Sequence, residues 1–111
     1  MKHSIVLISL LAALGLLAFA ATSPNGVWQL QGSAPGAPQQ LVLSVSGGSV
    51  TGTVDGVPIT NGRVTENNIW FNATRSSVAY QYKGTISNNK IVLFETPAGG
   101  RGRQLTYVRP S

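Results

Sequence analysis

Tight-turn dipeptides punctuate this chain every few residues, and between them apolar and polar side chains alternate. Gly47-Gly48, Asp55-Gly56 and Asn61-Gly62 favour the left-handed backbone that sharp hairpins need. Asn67-Asn68, Arg75-Ser76-Ser77 and Asn88-Asn89 continue the series. Segments joined this closely can pair only antiparallel with their neighbours, because a parallel pair needs a long crossover between its strands.

Period-two alternation defines the strands. Gly26–Gln31 puts Trp28 and Leu30 on one face, and Gln39–Ser46 does the same with Leu41, Leu43 and Val45. Ser49–Val54 groups Val50, Gly52 and Val54. Val57–Thr60 is short and weakened by Pro58, which suits an edge or a bulge. After the turn expected at Asn61-Gly62 comes Arg63–Glu66, then Ile69–Thr74, where Ile69, Phe71 and Ala73 oppose Trp70, Asn72 and Thr74. Val78–Ile86 gathers Val78, Tyr80, Tyr82, Gly84 and Ile86. Lys90–Glu95 sets Ile91, Leu93 and Glu95 against Val92 and Phe94, and Arg103–Arg109 alternates Leu105 and Tyr107 with Thr106 and Val108. Gly32–Pro38 and Thr96–Gly102 read as loops, and no window beyond Pro24 shows helical spacing. A flat meander of such segments would expose two sheet edges, and accumulated twist removes both by closure. The expected fold is all-β: a small antiparallel up-and-down barrel of about eight short strands, with a two-sheet sandwich as the second choice. Ser49–Val54 and Tyr82–Ile86 share a Gly-Thr-aliphatic ending, which fits glycines that let a small barrel coil sharply.

Residues 1–20 differ from the rest. Lys2 and His3 precede the apolar run Ile5–Phe19, and small residues flank Phe19 in Ala18-Phe19-Ala20. This is the layout of a secretory signal peptide. The run falls short of the roughly 20 residues that a helix needs to cross a bilayer, so no membrane span is expected after cleavage. The expected organisation is a signal peptide over 1–20 and a single β-barrel domain over 21–111, secreted or periplasmic. The chain has no cysteine, so an exported domain of this size must close its hydrogen bonding without disulfides. That absence favours a bacterial source.

The chemistry excluded is extensive. His3, in the leader, is the only histidine, and there is no Cys. A neutral-pH general base, a Ser-His-acid triad, thiol catalysis and most zinc or iron sites are therefore not available to the domain. Its carboxylates are Asp55, Glu66 and Glu95. That is too sparse for an acidic calcium loop, and nothing pairs them as a glycosidase would. The expectation is a non-enzymatic chain without metal or cofactor. The basic segment Gly99-Gly100-Arg101-Gly102-Arg103 could contact phosphates, but a solvated loop is the simpler reading, and export argues against nucleic acid as a partner. Asn72-Ala73-Thr74 fits a glycosylation acceptor but falls inside an expected strand.

The aromatic residues carry the remaining functional content. Tyr80, Tyr82, Trp70 and Phe71 are the candidate ligand-binding residues. Trp70, Phe94 and Val92 fall opposite the core alternation, so they either face the interior, or are tucked under a loop by strand curvature or a bulge, or form an exposed apolar patch that marks a partner surface. The expected role is a binding module for a small apolar ligand or a protein surface, such as that of an envelope protein. The alternatives are a structural or interaction protein of the envelope with a filled barrel, and an inhibitor of an exported enzyme.

Gly26-x-Trp28 near the start of the domain and Arg109 at its end resemble the calycin superfamily of lipocalins, fatty-acid-binding proteins and avidins. The resemblance implies that Arg109 packs over Trp28 and closes the base of the barrel, a structural role for both. The Leu41–Val54 hairpin, with Thr51-Gly52-Thr53, is similar to the second hairpin of avidin-type barrels. The lipocalin Thr-Asp-Tyr motif and the ring of biotin-gripping avidin tryptophans are absent, so the resemblance implies a fold and not a ligand. Thr51-Gly52-Thr53-Val54, Ile59-x-Asn61-Gly62-x-Val64 and Tyr82-x-Gly84-x-Ile86 are also similar to elements of small exported bacterial proteins.

Overall fold

The computed structural model describes residues 23–110, and the signal peptide expected over 1–20 lies outside them. Nine strands follow one another: β1 Gly26–Leu30, β2 Gln40–Ser46, β3 Ser49–Val54, β4 Val57–Pro58, β5 Thr60–Thr65, β6 Asn68–Arg75, β7 Val78–Ser87, β8 Lys90–Pro97 and β9 Arg103–Val108. All pairings are antiparallel. Eight strands form a ring in the order β2-β1-β9-β8-β7-β6-β5-β3, and the β2–β3 pairing closes it. β4 is the extra strand, set beside the end of β3 through Thr53↔Pro58 and Val54↔Val57. The architecture is the closed up-and-down barrel that the turn spacing required. Among the described residues no helix is long and apolar enough to cross a membrane.

Closure rests on a short seam between the first and last strands. Gln29 pairs with Val108 and Leu30 with Tyr107, and the Gln31 amide extends the ladder to the Thr106 carbonyl at 2.8 Å. Longer ladders make up the far wall, where β6–β7 and β7–β8 each run the length of the barrel.

The alternation of each strand becomes inside and outside. Trp28, Leu41, Val54, Ile69, Phe71, Tyr82, Ile86, Ile91, Leu93 and Tyr107 fill the interior with almost no solvent exposure. Each such burial contributes about 1.5–3 kcal/mol. The repeated in-strand glycines have a steric cause. A Cβ on Gly52 would lie 1.8 Å from the Val42 carbonyl oxygen, and one on Gly84 would lie 1.9 Å from that of Val92. The neighbouring strand coils tightly over each position, which no side chain permits.

Two local expectations need correction. The β5–β6 hairpin turns at Glu66-Asn67, with Glu66 at φ 57°, and Asn68 already belongs to β6. Asn61-Gly62 does not turn the chain; it lies within β5 as a bulge, where the β5–β6 register slips between Thr60 and Arg63. Asn61 adopts φ 52°, so the dipeptide's left-handed tendency is used, but to bend one strand and not to reverse it. The reversal comes earlier, at the β3–β4 turn, after which β5 takes over the edge of β3 at Ser49 and Val50.

Candidate functional site

The barrel has two ends and one distinctive outer face. At the first end, Arg109 follows β9 and lies over the Trp28 ring, 4.1 Å from its centre. Its guanidinium also donates to the Asn25 carbonyl at 2.8 Å and the Ser23 carbonyl at 2.7 Å, and the Trp28 indole N–H donates to the Pro24 carbonyl at 2.9 Å. Residues 23–25 are thereby bound across this end.

At the opposite end, β6 runs one residue past the expected Thr74 and carries Arg75 into the mouth, where β8 places Glu95. Glu95 is 2% exposed. Its Oε2 accepts from the Tyr82 hydroxyl at 2.7 Å and from Arg75 Nη2 at 2.9 Å, and its Oε1 accepts from Arg103 Nε at 2.9 Å. The same arginines reach the β1–β2 loop. Arg75 Nη1 donates to the Gly36 carbonyl at 3.3 Å, and Arg103 Nη1 to that of Pro35 at 2.8 Å. The Tyr107 hydroxyl donates to the Pro38 carbonyl at 2.7 Å. Ala37 and Pro38 are buried beneath. The loop therefore caps the mouth, held by the Tyr107 hydroxyl and by two guanidinium groups that the Glu95 carboxylate fixes in place. Asp55, at φ 48° in the β3–β4 turn, anchors the end of the loop by accepting from the Gln39 and Gln40 amides.

Electrostatics follow from this burial. Burial raises the Tyr82 hydroxyl well above the ordinary tyrosine value, and the hydrogen bond to Glu95 adds to it while that from Arg75 opposes it. Burial likewise raises Tyr107, with the Glu95 charge adding to it. Burial opposes the charge of Arg75, yet Tyr82 and Glu95 more than offset it and hold the guanidinium above its usual value. Both oxygens of Glu95 are engaged, and among the described residues every buried side-chain nitrogen or oxygen has a partner. The mouth is a latch, not an exposed reactive centre.

The four aromatic residues expected to bind a ligand are divided between two environments. Phe71 and Tyr82 stack inside at 4.9 Å between ring centres, and Tyr80 stands half-buried beside them, 6.2 Å from Tyr82. Tyr80 carries Arg75 over its ring at 4.4 Å. Trp70 points the other way, to the outside, with Arg63 over its ring at 5.2 Å. Phe94 also faces outward and is 48% exposed.

The registers align these outer residues into one row across four strands: Arg63↔Trp70, Trp70↔Lys83 and Lys83↔Phe94. Cation and aromatic alternate along it. Three hollows open along β6 and β7 on this face. One of about 380 Å³ lies between Trp70 and Lys83, and one of about 310 Å³ between Trp70 and Arg63. A groove of about 580 Å³ lies between Asn72, Gln81 and the Pro97–Gly100 turn. Arg103, read from the sequence as part of a basic loop tip, turns into the mouth, whereas Arg101 stays exposed.

Sequence reasoning missed the latch and the row. Glu95 does fall on the inward phase of β8, an unusual place for a carboxylate, and that phase was the available signal. No protein-family model, curated protein or solved structure matches the chain.

Proposed function

We propose that this chain is an exported, non-enzymatic binding module, a small calycin-like barrel of a bacterial envelope or its surroundings, that meets its partner through the outer face of β6–β8. The supporting observation is the filled interior. An eight-stranded barrel is just wide enough to be packed with side chains or to hold one small ligand. Here Trp28, Phe71, Tyr82 and Tyr107 occupy that space, and Pro38 and the Glu95 latch stop the mouth. This favours an outward-facing role over uptake of a small apolar ligand. Where the interior is packed and latched, a row of cation and aromatic side chains on the outside is the surface best suited to recognition.

Native mass spectrometry of the protein isolated from its own source tests the reading. The expected species is the bare polypeptide. A retained stoichiometric apolar molecule would return the role to the barrel interior.

A further inference from the structure

We propose that the outer face of β6 and β7 is a binding track for a linear acidic oligosaccharide, a proposal that rests on the outward-facing role above and gives it a ligand. The three hollows lie in line along the two strands, because the cross-strand pairs Asn68↔Thr85, Trp70↔Lys83, Asn72↔Gln81 and Thr74↔Ala79 succeed one another on the outer face. From Asn68 to Thr74 the track runs about 20 Å at the rise of an extended strand. An elongated ligand fits that shape, and a compact one does not.

The lining specifies the ligand's chemistry. Trp70 is shared by the first two hollows, so each offers the indole together with one cation, Lys83 in one and Arg63 in the other. Asn72 and Gln81 are shared by the second hollow and the wide groove, which adds the Thr60 and Thr96 hydroxyls. Among the described residues no carboxylate lines any of the three. An indole suits the flat C–H face of a sugar ring. Side-chain amides and hydroxyls, with both donors and acceptors, suit sugar hydroxyls. Arg63 and Lys83 then call for negative charge on the same ligand.

Other linear polymers fit less well. An extended peptide binds by adding a strand to a free edge, and β6 and β7 are each paired on both sides. Single-stranded nucleic acid needs a succession of open aromatic platforms. Of the aromatic residues lining the track, Phe71 and Tyr82 are buried and Tyr80 has Arg75 over its ring, which leaves the Trp70 indole. A lipid surface calls for protruding apolar groups, and Phe94, the 48% exposed aromatic of this face, lines none of the three hollows.

The test is calorimetric titration of the processed protein with oligogalacturonate, alongside a neutral cello-oligosaccharide, an oligothymidylate and phosphatidylglycerol vesicles. Oligogalacturonate is expected to bind best, with affinity falling as salt rises. Trp70→Ala is expected to weaken it at least about ten-fold, and Lys83→Gln about three-fold, with the unfolding midpoint of the Lys83 variant unchanged because that side chain is exposed. No binding of oligogalacturonate at millimolar concentration, an equal preference for the neutral glucan, or full affinity in both variants overturns the proposal. Tighter binding of the oligothymidylate or the vesicles also overturns it while leaving the outward-facing role intact. A small molecule retained inside the barrel removes that role itself.

Discussion

The Tyr82 hydroxyl donates a 2.7 Å hydrogen bond to Oε2 of Glu95, and the two side chains meet inside the barrel mouth from adjacent strands. Burial chiefly, and this bond next, push the tyrosine's ionisation well above its ordinary value, and burial does the same to Tyr107. Unfolded tyrosine ionises near pH 10. Above that pH the unfolded chain has lost protons that the native barrel keeps, so stability falls as pH rises. It falls by about 1.4 kcal/mol per pH unit for each of the two groups until the folded hydroxyls also ionise. Below pH 10 these groups leave stability flat. Urea midpoints measured across the alkaline range are expected to drop, and tyrosinate absorbance of the native protein to lag behind that of the unfolded chain. Coincident titration of all tyrosines in the two states would contradict the burial argument.

Glu95→Gln tests the latch. The amide keeps the side chain's shape but removes the charge that balances Arg75, whose side chain is 14% exposed, and Arg103, which is 39% exposed. Because Arg103 retains water, the loss falls below that of a fully buried pair, at about 2–3 kcal/mol. The urea midpoint should decrease with an unchanged slope. Proteolysis should shift to the Gly32–Pro38 loop, whose ties to Arg75 and Arg103 the substitution loosens. Wild-type stability would show that the carboxylate contributes nothing net.

The strands were legible because the alternation is local, and their closure because two-residue connections leave little choice of topology. Asn61-Gly62 was not legible as a bulge, since residues suited to left-handed backbone serve a turn and a bulge equally, and only the partner strands decide between them. Glu95 could be placed on the inner face of β8, but not its partners. Arg75 lies in the neighbourhood only through the β6–β7–β8 register, and Arg103 only after β9 pairs with β8. The outer row depends on register in the same way: Arg63, Trp70, Lys83 and Phe94 come from four strands, and no sequence spacing relates them.

Arg109 and Trp28 seal the other end by different means, and their variants should separate accordingly. Trp28→Ala removes a fully buried indole and is expected to lower stability by about 3–5 kcal/mol. Arg109→Ala removes the cation over that ring and two donors to residues 23 and 25, for about 1–2 kcal/mol. Thermal melting followed by circular dichroism ranks the two. Equal losses would show that the arginine contributes as much to the closure as the buried indole.

Gly84→Ala probes the coil of the barrel. The added methyl would meet the Val92 carbonyl at 1.9 Å, so β7 and β8 must part locally. A loss of about 3 kcal/mol is expected, at the upper end of overpacking effects. Amide exchange should accelerate first across the Gly84↔Leu93 and Thr85↔Val92 pairs of the ladder. Uniform acceleration would place the strain elsewhere.

Trp70 and Phe71 are adjacent in sequence and opposite in the barrel, so a matched pair of truncations divides the inside from the outside. Phe71 is 1% exposed and stacked on Tyr82, and Phe71→Ala leaves a cavity in a packed interior. Its expected loss is about 3–5 kcal/mol. Trp70→Ala gives up contact with water-facing neighbours and the Arg63 cation at 5.2 Å, and should lose no more than about 1 kcal/mol. The larger residue is thus the cheaper to remove. Chemical denaturation of the two variants decides the matter. If Trp70→Ala proves the more damaging, the indole is a core element of the fold, and an outward surface available to a partner would have to be sought elsewhere on the barrel.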